Sequence, residues 1–147
     1  MNDFLHKLPG FLGNHLALAA LFVILLVALI VMQIAELFSK TSTLTPAGLT
    51  LLINRENPLL IDISPRDVFE KAHIPGARHV AMSQFDPENK NLASAKELPV
   101  VLICRSGQTA SQAAQRLVKA GFTRVHTLGG GMLAWQEAQL PVAKGSK

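Results

Sequence analysis

The strongest fold signal in the sequence is PVVLI at residues 99–103, which is followed by CRSGQT at 104–109 and by the segment from Ala110 to Ala120. The first run is short, apolar and rich in β-branched residues, which is typical of a strand buried on both faces. The last segment is rich in helix-forming residues and ends at Gly121, a natural helix stop. A loop that joins a buried strand directly to a helix indicates a parallel α/β sheet.

The segments on either side repeat this alternation of strands and helices. Thr45-Pro46 supplies a helix cap followed by a first-turn proline, and Ser64-Pro65 has the same pattern. Further strands are predicted at 59–62, 78–81 and 125–128. Further helices are predicted at 46–53, from Pro65 through Val68 and Phe69, and from the glycines at 129–131 through Trp135. Trp135 is expected to be a core residue. Residues 82–97 are polar and favour no element. We therefore predict one α/β domain at 45–147, with a central parallel sheet flanked by helices.

Composition excludes several classes of function. The net charge of +4 is spread over 147 residues without a basic cluster, and there is one Trp and no Tyr, so nucleic-acid binding is not expected. The single cysteine, Cys104, rules out an internal disulfide and a zinc site built from paired cysteines. We expect no metal and no organic cofactor. A lone thiol is either a small buried hydrophobic group or a reactive one.

A long apolar segment precedes the α/β domain. Leu16 to Met32 is continuously apolar, and its twelve Leu, Ile, Val and Phe residues favour membrane insertion by roughly 5 kcal/mol. We predict an N-terminal flank at 1–13, a transmembrane helix at 14–36 that contacts lipid, and a linker at 37–44. The alternatives are a buried core helix, which is usually amphipathic, and a cleaved signal peptide, which ends at a small-residue site that this sequence lacks.

The orientation of the predicted helix follows from weak signals. Lys7 and Lys40 flank its two sides almost equally. Because a free thiol stays reduced in the cytoplasm, Cys104 favours a cytoplasmic C-terminal domain. We therefore expect a single-pass membrane protein whose C-terminal domain is cytoplasmic.

The position of Cys104 favours the reactive interpretation. It stands between a strand end and a helix start, where ligands bind in parallel α/β sheets and where helix N–H groups lower the pKa of a thiol. Gly107 permits a tight loop, and Arg105 adds a positive charge. The side chains of Ser106, Gln108 and Thr109 are additional candidate substrate contacts, and Thr109 is equally a candidate N-cap.

The loop discriminates between phosphorus and sulfur as the target of Cys104. Cysteine phosphatases need a phosphate-clamping arginine at the end of the loop, but Ala110 stands here and the next arginine is Arg116, well into the helix. Sulfur transfer needs only a thiolate and dipoles that hold a persulfide anion. A cysteine phosphatase or arsenate reductase is therefore disfavoured.

Three motifs resemble those of the rhodanese family. CRSGQT matches the rhodanese active-loop pattern C-R-x-G-x-[RT]. Ile61-Asp62 with Arg66 and HIPGA at 73–77 resembles its N-terminal signature, and residues 125–130 with Trp135 resemble its C-terminal one. The order of an apolar helix and a rhodanese domain is also similar to that of small bacterial membrane proteins of the YibN type. Departures from the usual pattern are Ala72 in place of glycine, and Thr109 and Ala110 in place of arginine and serine.

The resemblance implies a sulfurtransferase. Cys104 takes sulfane sulfur from thiosulfate or a persulfide donor, and the sulfur then passes to a thiol or cyanide. Asp62 and Arg66 are expected to form a structural pair near the site, and His73 to make structural hydrogen bonds. The alternative function is a weakly catalytic or non-catalytic rhodanese-fold module that recruits partners to the membrane, with a membrane protein as a further candidate partner.

Overall fold

The computed structural model describes Gly10, residues 15–37 and residues 41–146. The helices are α1 (Leu16–Leu37), α2 (Pro46–Glu56), α3 (Arg66–Lys71), α4 (Lys90–Ala93), α5 (Gln108–Lys119) and α6 (Gly131–Glu137). The strands are β1 (Thr41–Leu44), β2 (Leu59–Asp62), β3 (Arg78–His79), β4 (Val100–Ile103) and β5 (Val125–Leu128), and a 3₁₀ turn lies at Met82–Gln84.

The chain divides into two units, residues 1–39 and residues 40–147. The first unit contains α1, and its stretch Leu16–Ile34 is long and apolar enough to cross a membrane. Its described large apolar side chains are exposed rather than packed in a core, which argues against a buried core helix. The predicted flank at 1–13, apart from Gly10, lies outside the described residues, as do the flanking Lys7 and Lys40.

The second unit is built on a five-stranded parallel sheet in the order β1-β5-β4-β2-β3, counted over the described residues. Every residue of the central strand β4 is fully buried, because helices cover both faces of the sheet. On one face, Val100 and Leu102 pack with the apolar residues of α5 and with Phe85 and Phe122. The fold class predicted from the sequence is confirmed.

The opposite face carries the second half of the core. Val101 and Ile103 point to this side and pack with residues of α2, α3 and α6, including Leu49, Phe69 and Trp135. The Trp135 indole N–H donates to the Pro141 carbonyl at 2.9 Å, which satisfies its polar atom within the core. Alternate residues of one strand thus hold two helical layers.

The structure corrects the predicted linker. Residues 41–44, placed in the linker at 37–44, form the edge strand β1 and pair with β5 from Thr41–Val125 to Leu44–Leu128. The polar sequence TSTL carries no strand periodicity, and main-chain pairing with β5 determines its conformation. The Leu44 carbonyl also accepts from the Gly129 N–H at 2.8 Å. Strand β1 therefore belongs to the sheet.

Several predicted element boundaries also move. Helix α2 extends to Glu56, three residues beyond the prediction, and its Thr45 cap accepts from the Gly48 N–H at 3.1 Å as expected. Helix α3 starts after Pro65, so Ser64 is not its cap. Strand β3 has two residues instead of four because it pairs at the edge of the sheet only with Ile61 and Asp62.

Candidate active site

The thiol of Cys104 lies where β4 ends and α5 is about to begin. Cys104 continues the buried side of the strand set by Val100 and Leu102, and only 4% of its surface is exposed. The Gly107 N–H donates to its sulfur at 2.9 Å. A backbone donor at this distance stabilises negative charge on the sulfur.

Gly107 provides the turn that closes this loop. It has φ +96° and serves as the N-cap of α5, which begins at Gln108. Thr109 is therefore inside the first turn of the helix, and the alternative that made it an N-cap is wrong. The helix starts two residues earlier than the sequence indicated, because a glycine in the left-handed region lets the chain enter the helix directly from the loop.

A second glycine turn, at Gly131, binds the backbone of the cysteine loop. The N–H groups of Met132 and Leu133, at the start of α6, donate to the carbonyls of Cys104 and Arg105 at 2.9 and 3.2 Å. Gly131 allows this approach, since a Cβ there would lie 2.3 Å from the Cys104 carbonyl oxygen. This role of Gly131 was not predicted from the sequence, although the run of three glycines at 129–131 was its signal.

A cavity of about 420 Å³ opens at the thiol. The loop contributes four of the predicted site residues to its lining: Cys104, Arg105, Ser106 and Thr109. Neither Gly107 nor Gln108 lines it. The remaining lining residues come from two segments that the sequence analysis did not connect with the site: Ile63, Ser64, Pro65, Ala81, Met82 and Ser83.

The β2 segment is held beside Cys104 by hydrogen bonds. The Ile63 N–H donates to the Ile103 carbonyl at 2.9 Å, which continues the pairing of β2 with β4. The buried Asp62 accepts from the Ser64 N–H at 2.9 Å, and the His79 Nε2 donates to the Ser64 carbonyl at 2.7 Å. Asp62 thus positions Ser64, and His79 is a supporting residue that the sequence analysis missed.

Arg66 does not pair with Asp62. Its Nε donates to Glu70 Oε1 at 2.9 Å, one turn along α3; the Arg66 side chain is largely exposed and that of Glu70 is partly exposed. The predicted structural pair of Asp62 and Arg66 is wrong, because α3 turns the Arg66 side chain towards solvent while Asp62 stays inside the sheet. Within the described residues, the second carboxyl oxygen of Asp62 has no hydrogen-bond partner.

His73 is fully buried in the turn after α3. Its Nδ1 donates to the Phe69 carbonyl at 2.8 Å, and its ring stacks on that of Phe69 with centroids 3.8 Å apart. Its backbone pairs with that of Ala143. His73 does not line the cavity, so its contacts serve the packing of the turn.

Comparisons with known proteins agree with the fold described above. The model of the family described as "Rhodanese-like domain" matches residues 45–138. The uncharacterized protein YibN of Escherichia coli K12 is 33% identical over 142 residues, which cover 96% of this chain and 99% of YibN. The prediction of a rhodanese domain after an apolar helix is confirmed at the level of the family and its similarity to YibN.

Two relatives with named activities match part of the chain. Thiosulfate sulfurtransferase GlpE of Coxiella burnetii is 30% identical over 96 residues, 65% of this chain and 87% of GlpE. The crystal structure of a thiosulfate sulfurtransferase from Pseudomonas aeruginosa superimposes with a TM-score of 0.63 at 28% identity. That match covers 72% of this chain and 20% of the other chain.

Proposed function

This chain belongs to the rhodanese-like domain family, and we propose that it is a membrane-anchored sulfurtransferase in which Cys104 carries the sulfur. The observation that carries the proposal is the contact between the Gly107 N–H and the Cys104 sulfur, 2.9 Å long, at the edge of a cavity of about 420 Å³. A thiolate at this point meets a donor in the cavity and has a backbone dipole beside it.

The proposed reaction is a sulfur exchange in two steps. The Cys104 thiolate attacks the outer sulfur of a thiosulfate-like donor, the S–S bond of the donor breaks, and sulfite leaves with the bonding electron pair. The sulfur then passes from the Cys104 persulfide to a thiolate or cyanide, which regenerates the Cys104 thiolate. Every proton and electron is accounted for by these groups, so the reaction needs no metal or organic cofactor.

The loop supplies the polar contacts. Arg105 is exposed at the mouth of the cavity and attracts an anionic donor. Ser106 and Thr109 line the same wall and offer hydroxyl donors. Gln108 is exposed outside the cavity lining, so its substrate contact stays a prediction from the loop pattern. The printed activity of GlpE, thiosulfate sulfurtransferase, supports the same class of donor.

Helix α1 is the proposed anchor. Its apolar stretch Leu16–Ile34 is long enough to cross a bilayer, and the similarity to YibN extends over 96% of the chain. We place the protein in the bacterial inner membrane as a single-pass protein, with its sulfurtransferase domain in the cytoplasm. Lipid is then its first partner, and a membrane protein that supplies or receives sulfur is a candidate second one.

Mass measurement tests the enzymatic proposal. The full-length protein, incubated with thiosulfate, should gain about 32 Da, the mass of one sulfur on a persulfide. Cys104→Ser should gain nothing, and cyanide should return the wild type to its original mass and release thiocyanate. Failure to form the adduct with thiosulfate and with organic persulfides would overturn the proposal.

A binding module is the second candidate function. Arg105 is the sole charged residue among the described residues that line the cavity, and this favours weak retention of a doubly charged donor. If Cys104→Ser kept the cellular phenotype while deletion of residues 1–40 abolished it, recruitment to the membrane would replace sulfur transfer as the function.

A further inference from the structure

The charges of the α/β domain are unevenly distributed. Every Asp and Glu of residues 41–147 lies at 56–97 or at Glu137, so the segment 98–136 contains no acidic residue. The cysteine loop and α5 both belong to this segment, whose basic residues are Arg105, Arg116, Lys119 and Arg124. The excess of positive charge here comes from missing acids rather than from a run of Lys and Arg.

Helix α5 has one buried and one exposed side. Its buried side consists of three alanines and Leu117, which pack on the sheet. Thr109 lines the cavity, and the other exposed residues are polar or basic: Gln108, Ser111, Gln112, Gln115, Arg116 and Lys119. We call these six residues the outer face of α5.

The outer face of α5 carries one sign of charge only. Opposite charges one turn apart stabilise many exposed helices, but this helix has no acid to pair with its two basic residues. Neither Arg116 nor Lys119 forms an ion pair within the part of the chain that the structure describes. The positive charges of this surface are therefore available to a partner.

The outer face begins at the candidate active site. Helix α5 starts directly after Gly107, whose N–H donates to the Cys104 sulfur, and its twelve residues extend over about 18 Å. Arg105 is exposed at the mouth of the cavity. A partner that lies along α5 thus reaches the cavity and its thiol at the amino end of the helix.

The polarity of the outer face favours a protein over a lipid surface. The exposed large apolar residues described in the α/β domain lie outside α5, at Leu51, Leu98, Leu133 and Val142. A helix that binds a membrane surface inserts an apolar side between the headgroups, and the outer face of α5 has none. A polar surface of one charge instead speeds the encounter with a protein of opposite charge.

From these observations we propose that the outer face of α5 is the docking surface for a sulfur acceptor, a protein that presents acidic residues around a cysteine thiol. The proposal rests on the sulfurtransferase function and specifies its acceptor. In the transfer step, the acceptor thiolate attacks the outer sulfur of the Cys104 persulfide. The bond between the two sulfurs breaks, the Cys104 thiolate leaves with the electron pair, and the acceptor becomes the persulfide.

Three cysteine peptides of equal length test this step, with the thiol flanked by Glu, Ser or Lys. The full-length protein is loaded with sulfur from thiosulfate, freed of excess donor and mixed with each peptide. Each transfer rate constant is divided by the rate of the same peptide with a small uncharged disulfide, which removes differences in thiol reactivity.

The normalised rate constants should depend on charge and on salt. At about 10 mM salt, where charges act over about 30 Å, we expect the Glu peptide to react about tenfold faster than the Lys peptide, with the Ser peptide between them. At about 1 M salt, where this distance falls to about 3 Å, the three values should converge.

Variants assign the preference to α5. At about 0.1 M salt, the double variant Arg116→Glu, Lys119→Glu should slow transfer to the Glu peptide about fivefold and leave transfer to cyanide unchanged. The milder pair Arg116→Gln, Lys119→Gln should give a smaller loss in the same direction. The matched control, Lys90→Glu with Lys144→Glu, makes the same change of net charge at exposed residues outside α5, and it should alter transfer by less than about twofold.

The outcomes separate this proposal from the proposed function. If thiosulfate loads Cys104 but the three peptides react equally at low salt, or the control slows the Glu peptide as much as the α5 variant does, the docking surface is wrong and the sulfurtransferase function stands. If nanodiscs of anionic lipid, and not the Glu peptide, protect α5 from hydrogen exchange, the surface binds lipid and the docking proposal is wrong. If no donor loads Cys104 in the folded protein, both proposals fail together.

Discussion

Among single residues, Gly131 has the tightest surroundings near the candidate nucleophile. A Cβ at this position would lie 2.3 Å from the Cys104 carbonyl oxygen and 2.6 Å from the Arg105 carbonyl oxygen, and its φ is +58°. The same turn donates two N–H groups to those carbonyls. Gly131 therefore determines how closely α6 approaches the cysteine loop, and the loop geometry depends on it.

Gly131→Ala should displace the cysteine loop. We expect a loss of about 3 kcal/mol or more in the free energy of unfolding, because a backbone overlap adds to the cost of the left-handed conformation. The rate of persulfide formation should fall by about 100-fold, since small misplacements of reacting groups have effects of this size. Urea denaturation followed by the fluorescence of Trp135, the single Trp, measures the first quantity.

The matched control for this substitution is Gly76→Ala. Gly76 also has a positive φ, +85°, but a Cβ there meets nothing within 4 Å. The Gly76→Ala variant should lose only about 1–2 kcal/mol in the free energy of unfolding, which is the cost of the left-handed backbone conformation. Its rate of persulfide formation should stay at the wild-type value. Equal effects of both substitutions would contradict the role assigned to Gly131.

At the scale of elements, the pairing of β1 with β5 is the contact that the sequence analysis did not predict. Ser42 Oγ and His126 Nδ1 share a hydrogen bond at 2.5 Å, and the hydroxyls of Thr43 and Thr127 share another at 3.3 Å. Burial lowers the pKa of His126, the Arg124 charge lowers it further, and Glu56 opposes this by raising it. The strand pair thus contains a partly buried histidine whose pKa lies below its usual value.

The stability of the domain should depend on pH through His126. Because its pKa is lower in the folded state, the unfolded state binds more protons as the pH falls through the usual histidine range near 6.5. The free energy of unfolding should therefore decrease as the pH is lowered from 8 through about 6.5, and level off once the folded protein is also protonated.

Comparison with His126→Gln isolates this contribution. Urea denaturation between pH 8 and pH 5 should give a smaller decrease for His126→Gln than for the wild type, because glutamine does not titrate. Identical pH dependence in both proteins would mean that His126 does not couple protonation to folding.

At the scale of the whole molecule, the chain combines an apolar helix with an α/β domain that has its own two-sided core. The proposed anchor rests on the side chains of α1, whose apolar residues favour insertion without an opposing charge among the described residues 16–34. Two arginines at the centre of the helix should cancel that preference, because together they cost about 5–7 kcal/mol against the roughly 5 kcal/mol that favours insertion.

The double variant Leu26→Arg, Val27→Arg tests the anchor. Each arginine costs about 2.5–3.5 kcal/mol at the centre of a membrane helix, so the protein should move from the membrane fraction to the soluble fraction on alkaline extraction. The apolar double variant Leu26→Val, Val27→Leu should stay with the membrane. If the cell instead cleaves the wild-type protein so that residues 1–40 are missing, and the remaining domain is found outside the cytoplasm, the apolar helix is a signal sequence and not an anchor.

Local sequence patterns were sufficient to predict the helices and strands whose conformation depends mainly on their own residues. PVVLI is apolar throughout because helices cover both faces of β4, and the prolines and glycines mark helix ends. The polar strand β1 and residues 82–97 were not predictable, since their conformations depend on contacts made elsewhere in the chain. Helix α5 begins at Gln108, two residues before the predicted start, because Gly107 adopts a left-handed backbone conformation. The order of residues alone does not reveal that conformation, so the start of the helix was not predictable.

The candidate site divides in the same way. Cys104, its glycine and its helix are contiguous, so the sequence alone identified the proposed nucleophile and the loop that surrounds it. The wall opposite it was decided by tertiary structure, because the order β4-β2-β3 brings Ser64 and Met82 to the carboxyl end of β4 from about 40 and 20 residues away. Residues that share a cavity through sheet order have no common sequence pattern, since their neighbourhood arises from strand pairing and burial rather than from spacing along the chain.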